Sequence, residues 1–175
     1  RVAEEFRRRG QRITWCVVGE PSSAEKPGDI VRVGRRGSLS GTLTVRGVQG
    51  HVAYPDKVRN PIHSAAPALA ELAATRWDEG NADFPPTSFQ VSNVHAGTGA
   101  MNVVHGALEA KFNFRFCTAS TAQSLRERTE SILRKHGLAF DVHWDLSGEP
   151  FVTPGGQFRA AVEEATKSIC GIIPM

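Results

Sequence analysis

The sequence predicts an α+β fold, a ferredoxin-like (split βαβ) domain set between two flanking pieces of an α/β architecture. Three observations carry this. Between about residues 30 and 146 the hydrophobic period switches in the order β, α, β, β, α, β. Residues 108–116 alternate, with Leu108, Ala110, Phe112, Phe114 and Phe116 on one face and Glu109, Lys111, Asn113 and Arg115 on the other. Residues 13–18 read ITWCVV, a nearly all-apolar run of the kind buried on both faces in a parallel sheet. The implied segments are 1–27, 28–147 and 148–175.

Each element has a local reason. Residues 2–9 have helical composition and Gly10 stops them. Strand 13–18 follows and ends in Gly19-Glu20-Pro21, so a carboxylate stands at the carboxyl end of a buried strand, where ligands gather in open α/β sheets. Residues 22–28 are a polar linker. Residues 30–47 alternate through Leu39, Leu43 and Val45, as one long strand or a hairpin. A helix over 61–77 follows from Ile62, Ala65, Ala66, Leu69, Leu72 and Ala73, with Asn60 as N-cap and Pro61 in the first turn. Gly80 and Asn81 end it. Residues 87–94 form a strand, 97–99 a flexible loop, and 108–116 the aromatic strand. A helix over 121–136 is capped by Ser120 or Thr121 and stopped by Gly137. Residues 138–146 make a last strand. The helix at 157–169 resumes the α/β character of the first segment.

Composition narrows the function classes. The chain has 175 residues, 40% hydrophobic and 22% charged, a globular profile. No apolar run approaches the ~20 residues that cross a bilayer, and the basic stretch 1–12 lacks the apolar core of a signal peptide. Lys and Arg number 21 against 18 Asp and Glu, a charge of +3. A nucleic-acid partner needs a concentrated basic stripe, and the densest cluster, Arg7-Arg8-Arg9, reads as a solvated helix face. The 3 cysteines, Cys16, Cys117 and Cys170, include no Cys-x-x-Cys pair. Cys16 and Cys117 lie in apolar strand patterns and read as small buried hydrophobes in a reducing cytoplasm.

Several residues suit chemistry. Glu20 could meet a metal or ligand, or be satisfied by nearby backbone N–H groups. His51 follows Gly47-Val48-Gln49-Gly50, a loop whose backbone can approach a ligand closely; its imidazole could donate to a developing oxyanion, or simply sit on the surface. His63, His95, His105, His136 and His143 form no HxH or HExxH pair, so no self-contained zinc site is predicted. Arg35, Arg36 and Arg115 offer planar forks for carboxylates, beside Ser38; Arg115 could instead pair with Glu109 or a neighbouring acid. The Asn102 amide, after Gly97-Thr98-Gly99, could contact a substrate or cap a turn.

Read together and in order, Val18-Gly19-Glu20-Pro21, Gly34-Arg35-Arg36-Gly37-Ser38-Leu39 and Gly50-His51-Val52-Ala53-Tyr54-Pro55 resemble the zinc-dependent aminoacylase and carboxypeptidase superfamily. Trp77-Asp78-Glu79-Gly80-Asn81, Phe84-Pro85-Pro86-Thr87-Ser88-Phe89-Gln90 and Phe112-Asn113-Phe114-Arg115-Phe116 narrow the resemblance to its succinyl-diaminopimelate desuccinylase family. The resemblance implies that the central domain is a dimerisation domain and that the flanks are pieces of a metallohydrolase catalytic domain. It implies a homodimer that hydrolyses N-succinyl-LL-2,6-diaminopimelate with two zinc ions, in diaminopimelate and lysine biosynthesis. By the same resemblance Glu20 is a metal ligand. His51 reaches into the partner's active site to steady the oxyanion, and Tyr54 shares its loop. Arg35, Ser38, Asn102 and Arg115 contact substrate. The remaining metal ligands and the general-base glutamate are expected outside these 175 residues, so the chain alone is expected to be inactive and to hold no zinc tightly.

Two other readings compete. One is an aminoacylase or dipeptidase of the same superfamily with another acyl group. The other is a ferredoxin-like nucleic-acid-binding or regulatory module, which needs aromatics exposed on its sheet. Alternation at 108–116 places them on a core face instead.

Overall fold

A computed structural model describes residues 2–174; Arg1 and Met175 lie outside the described residues. The chain divides into two compact units, Arg35–Val152 and the flanking segments up to Gly34 and from Thr153.

The central unit is built on a four-stranded antiparallel sheet. After β1 (Gly34–Arg35), β2 (Gly37–Arg46) runs as one long strand rather than a hairpin, because both of its edges are taken. β6 (Ala107–Phe116) lies on one side of it and β7 (Phe140–Gly148) on the other. With β4 (Ser88–His95) outside β6, the order is β4-β6-β2-β7. β6 is inserted antiparallel between β2 and β4, which is the predicted split βαβ arrangement. Short strands β3 (Gly50–His51) and β5 (Val103–Val104) pair beyond the end of β2, and β8 (Phe151–Val152) pairs with β1.

Helices α2 (Pro61–Ala74) and α3 (Ala122–Lys135) lie on one side of this sheet. Asn60 Oδ1 accepts from Ile62 N–H at 2.9 Å and starts α2. Thr121 and Ser124 cap α3 reciprocally: Thr121 Oγ1 accepts from Ser124 N–H at 3.0 Å, and Ser124 Oγ from Thr121 N–H at 3.1 Å. Leu39, Leu43, Val45, Phe112, Phe114 and Phe116 meet Leu72, Leu125 and Leu133 in the core. Gly41 is required within it. A Cβ there would strike the Phe112 ring, and in its absence Phe112 and Trp144, the Gly41 partners on either side, meet edge to face at 5.4 Å. α2 ends three residues before the predicted Trp77. The chain turns there because Trp77 is drawn inward, edge-on to Phe114 at 4.7 Å.

The second face of the sheet is open and polar. It carries no Phe, Tyr or Trp among the described residues.

In the flanking unit, α1 (Val2–Arg8) is exposed and α4 (Gln157–Cys170) carries Phe158, which stacks on Trp15 at 5.1 Å. The expected strand at 13–18 is not formed. Ile13 and Trp15 are 55% exposed, Val17 68% and Val18 70%, and Cys16 is exposed, not buried as expected. A parallel strand exists only when neighbours take its backbone groups and cover both faces. Among the described residues of this unit no strand lies beside residues 13–18. Cys117 is buried as expected. No helix among the described residues is long and apolar enough to cross a membrane.

Candidate functional site

The candidate residues of the central unit sort to opposite ends of β2. At its start, Ser38 stands opposite Arg115 on β6 and Gly148 on β7. The Arg35 guanidinium lies against Gly148, where any Cβ would collide with Nη2. Ser38, Arg115 and Arg35 are thus brought to one row of the open face, although Arg115 is 77 positions from Ser38 along the chain. Ser38 is buried, and Arg35 and Arg115 are exposed. Neither arginine has an acidic partner among the described residues, so the Arg115–Glu109 pairing left open by the sequence is not formed. Asp145 stands one row along, opposite Ser40. Two guanidinium forks without acidic partners, with a hydroxyl in the same row, are donors of the kind that suit an anion.

At the other end, β3 and β5 bring His51 opposite Val103. Val52 N–H donates to the Asn102 carbonyl at 3.1 Å, which places Asn102 beside the His51 loop. The Tyr54 ring lies 6.0 Å from that of His51, with Lys57 over the tyrosine at 5.4 Å. The geometry gives His51 a defined polarity. Its Nδ1 accepts from Ala53 N–H at 3.1 Å, so the ring proton sits on Nε2, and the exposed ring presents an N–H donor. A donor of that kind suits an oxyanion.

Glu20 lies in the other unit, exposed and outside regular structure. Among the described residues no three His, Cys, Asp or Glu side chains converge on a metal-sized site. One exposed carboxylate is not a zinc site, so the donor set present here does not fit a resident metal.

Sequence reasoning passed over Asn113, which the fold places between Ser38 and Ser40 with its amide donating to both. It also passed over Gly148, whose missing side chain makes room for Arg35. Cross-strand register creates both relationships, and no local pattern signals them.

Residues 33–141 match the M20 peptidase dimerisation domain. The chain belongs to that family. Over 170 residues this dimerisation-domain chain is 62% identical to a succinyl-diaminopimelate desuccinylase of Stutzerimonas stutzeri, covering 97% of the chain and 44% of the relative. It is 60% identical to the enzyme of the same name from Alkalilimnicola ehrlichii, over 99% of the chain and 46% of the relative. The chain therefore spans less than half the length of these curated relatives. Among solved structures, an M20 metallo-carboxypeptidase from Sulfolobus solfataricus superposes with TM-score 0.71 at 15% identity, over 82% of the chain and 51% of that structure. Aminopeptidase PepT from Bacillus cereus gives 0.65 at 20% identity, over 87% and 40%. These two likenesses establish the fold.

Proposed function

We propose that this chain is the central part of a homodimeric, metal-dependent amide hydrolase that cleaves N-succinyl-LL-2,6-diaminopimelate to succinate and LL-2,6-diaminopimelate in the cytoplasm. The identity to the desuccinylases supports the reaction. In this reading the segments flanking the central domain belong to a catalytic domain, with Glu20 one carboxylate of a dinuclear zinc centre whose other ligands lie elsewhere.

The observation that carries the division of labour is the separation of the two clusters. From Ser38 to Arg46 the strand advances eight residues, roughly 25 Å at 3.2–3.4 Å per residue, and His51 lies beyond that end. One acylated amino acid cannot touch both ends within a single subunit. Two subunits side by side bring the His51 end of one to the Arg115 end of the other. Arg35, Arg115 and Ser38 then hold substrate carboxylates by charge-assisted hydrogen bonds. His51 Nε2–H of the second subunit, with Asn102 and Tyr54 beside it, donates to the carbonyl oxygen as it gains charge.

The α2 face and the β4 edge are the surfaces we assign to the dimer. β4 is an unpaired edge. Ile62, Ala66, Ala70 and Ala73 expose an uncharged apolar stripe on α2, whereas α3 exposes Gln123, Glu127, Arg134 and Lys135. Uncharged helix faces of this kind are covered in assemblies, and charged ones face water.

Subunit mixing tests the reading. In the full-length protein carrying this chain, His51→Ala removes one oxyanion donor and lowers kcat by about 10²–10³, and Arg115→Ala raises KM for the succinylated substrate. When the two impaired variants exchange subunits, mixed dimers regain one intact site, so activity at substrate well below the raised KM recovers to about a quarter of wild type. No recovery after confirmed exchange refutes the shared site.

A further inference from the structure

Asn113 occupies the middle of β6 on the open face, half-buried, opposite Ser40 and diagonal to Ser38. Its Nδ2 is 3.2 Å from Ser38 Oγ, 3.0 Å from Ser40 Oγ and 3.4 Å from the Leu39 carbonyl oxygen. Three oxygens around one end of the amide determine which end faces β2, since only the NH2 group can donate to them. We propose that Asn113 is a positioning residue for substrate anion binding: by donating to Ser38 Oγ it turns the Ser38 O–H outward as a donor to a carboxylate held by Arg115 and Arg35. This rests on the assignment of those three residues to substrate made above.

The argument is one of hydroxyl polarity. A serine has one proton and two lone pairs. Left free beside two guanidinium groups, Ser38 would accept from an arginine, which ties up one anion-binding fork and points the hydroxyl proton nowhere useful. With a lone pair taken by Asn113, the Ser38 proton is released toward the Arg115 side of the row, and the row presents donors only. A carboxylate, which accepts at both oxygens, is the ligand that matches. Asn113 suits this task because it lies two residues before Arg115 on the same face of the same strand, so the strand that supplies the cation also sets the hydroxyl. Ser40 receives a slightly shorter hydrogen bond from the same amide, 3.0 Å, but stands opposite Asp145 on β7, outside the anion row.

The test is steady-state hydrolysis of N-succinyl-LL-2,6-diaminopimelate by the full-length protein. Asn113→Ala raises KM about tenfold, equivalent to one hydrogen bond, and leaves kcat within about threefold. Asn113→Asp, nearly isosteric, reverses the polarity: Ser38 now donates to the new carboxylate and Arg115 gains an internal anion. KM then rises further than for Asn113→Ala. Because Asn113 acts through Ser38, the double variant Asn113→Ala/Ser38→Ala has the KM of Ser38→Ala alone. Ser40→Ala leaves KM unchanged. The proposal is overturned if the Asn113 and Ser38 effects multiply, or if Asn113→Ala lowers kcat and spares KM, since either marks a role in strand packing only. If Asn113→Ala fails to fold, Asn113→Asp carries the same test, and an unchanged KM overturns the proposal. If instead Ser38→Ala and Arg115→Ala themselves leave KM unchanged, the anion-site assignment fails and this proposal falls with it; a normal response to those two with none to Asn113 isolates the failure to Asn113.

Discussion

Removing the Asp78 carboxylate should unfasten the turn that brings Trp77 into the core. Its Oδ1 accepts from Thr87 N–H at 2.8 Å and Gly80 N–H at 3.0 Å, and its Oδ2 from Ser120 Oγ at 2.5 Å. One side chain thus ties the end of α2, the start of β4 and the approach to α3. Thr87 and Ser120 are buried, so in Asp78→Ala their donors lose their partner without gaining water. Each such group costs about 1–3 kcal/mol. Gly80 can be rehydrated and adds little. The expected loss at pH 7 is therefore about 2–6 kcal/mol, and Asp78→Asn, which keeps one acceptor, loses less. Burial by itself would push the Asp78 carboxyl upward, but the hydrogen bonds from Ser120, Thr87 and Gly80 outweigh it and hold the group well below the usual carboxylate range. The sign follows. A depressed value in the folded state contributes stability above the unfolded carboxylate value of about 3.9. That contribution is lost as pH falls toward the folded value. Urea unfolding of wild type and Asp78→Ala from pH 7 down to pH 2 checks this: the gap should be largest at neutral pH and narrow below about pH 4. A gap under about 1 kcal/mol at pH 7, or one that widens on acidification, refutes the reasoning.

Two further outcomes follow from packing. Gly41→Ala forces a methyl group into the Phe112 ring. The strand is held on both sides and cannot retreat, so the cost is that of overpacking, about 1–3 kcal/mol in chemical denaturation; a neutral result would show that Phe112 has room to move. Ala66→Glu with Ala70→Glu places two charges on the exposed α2 stripe. In the full-length protein, sedimentation should show loss of the proposed dimer with the thermal midpoint of the monomer nearly unchanged, and an intact dimer assigns the interface elsewhere.

Much of this fold was legible in sequence because its signals are local. The alternation at 108–116 became β6 with the aromatics inward, since each Phe samples the same face two residues apart. Asn60 and Gly137 acted where expected, because a cap needs only its own turn; at α3 the choice between Ser120 and Thr121 went to Thr121, leaving Ser120 free for Asp78. Residues 13–18 show the limit of such reasoning. Their composition is that of a buried strand, yet strand structure is a property of a pair, and no partner strand lies among the described residues of the unit.

By itself the sequence determined the element order, the core face of each strand and the residue types able to bind anions or donate a proton. Tertiary structure alone decided where those types meet. Register between β2, β6 and β7 set Ser38 beside Arg115, opened Gly148 to the Arg35 guanidinium and gave Asn113 its two serines. The separate pairing of β3 with β5 set His51 opposite Val103, beyond the other end of β2. Pairing across strands joins residues that are tens of positions apart, and that information resides in no local window of the chain.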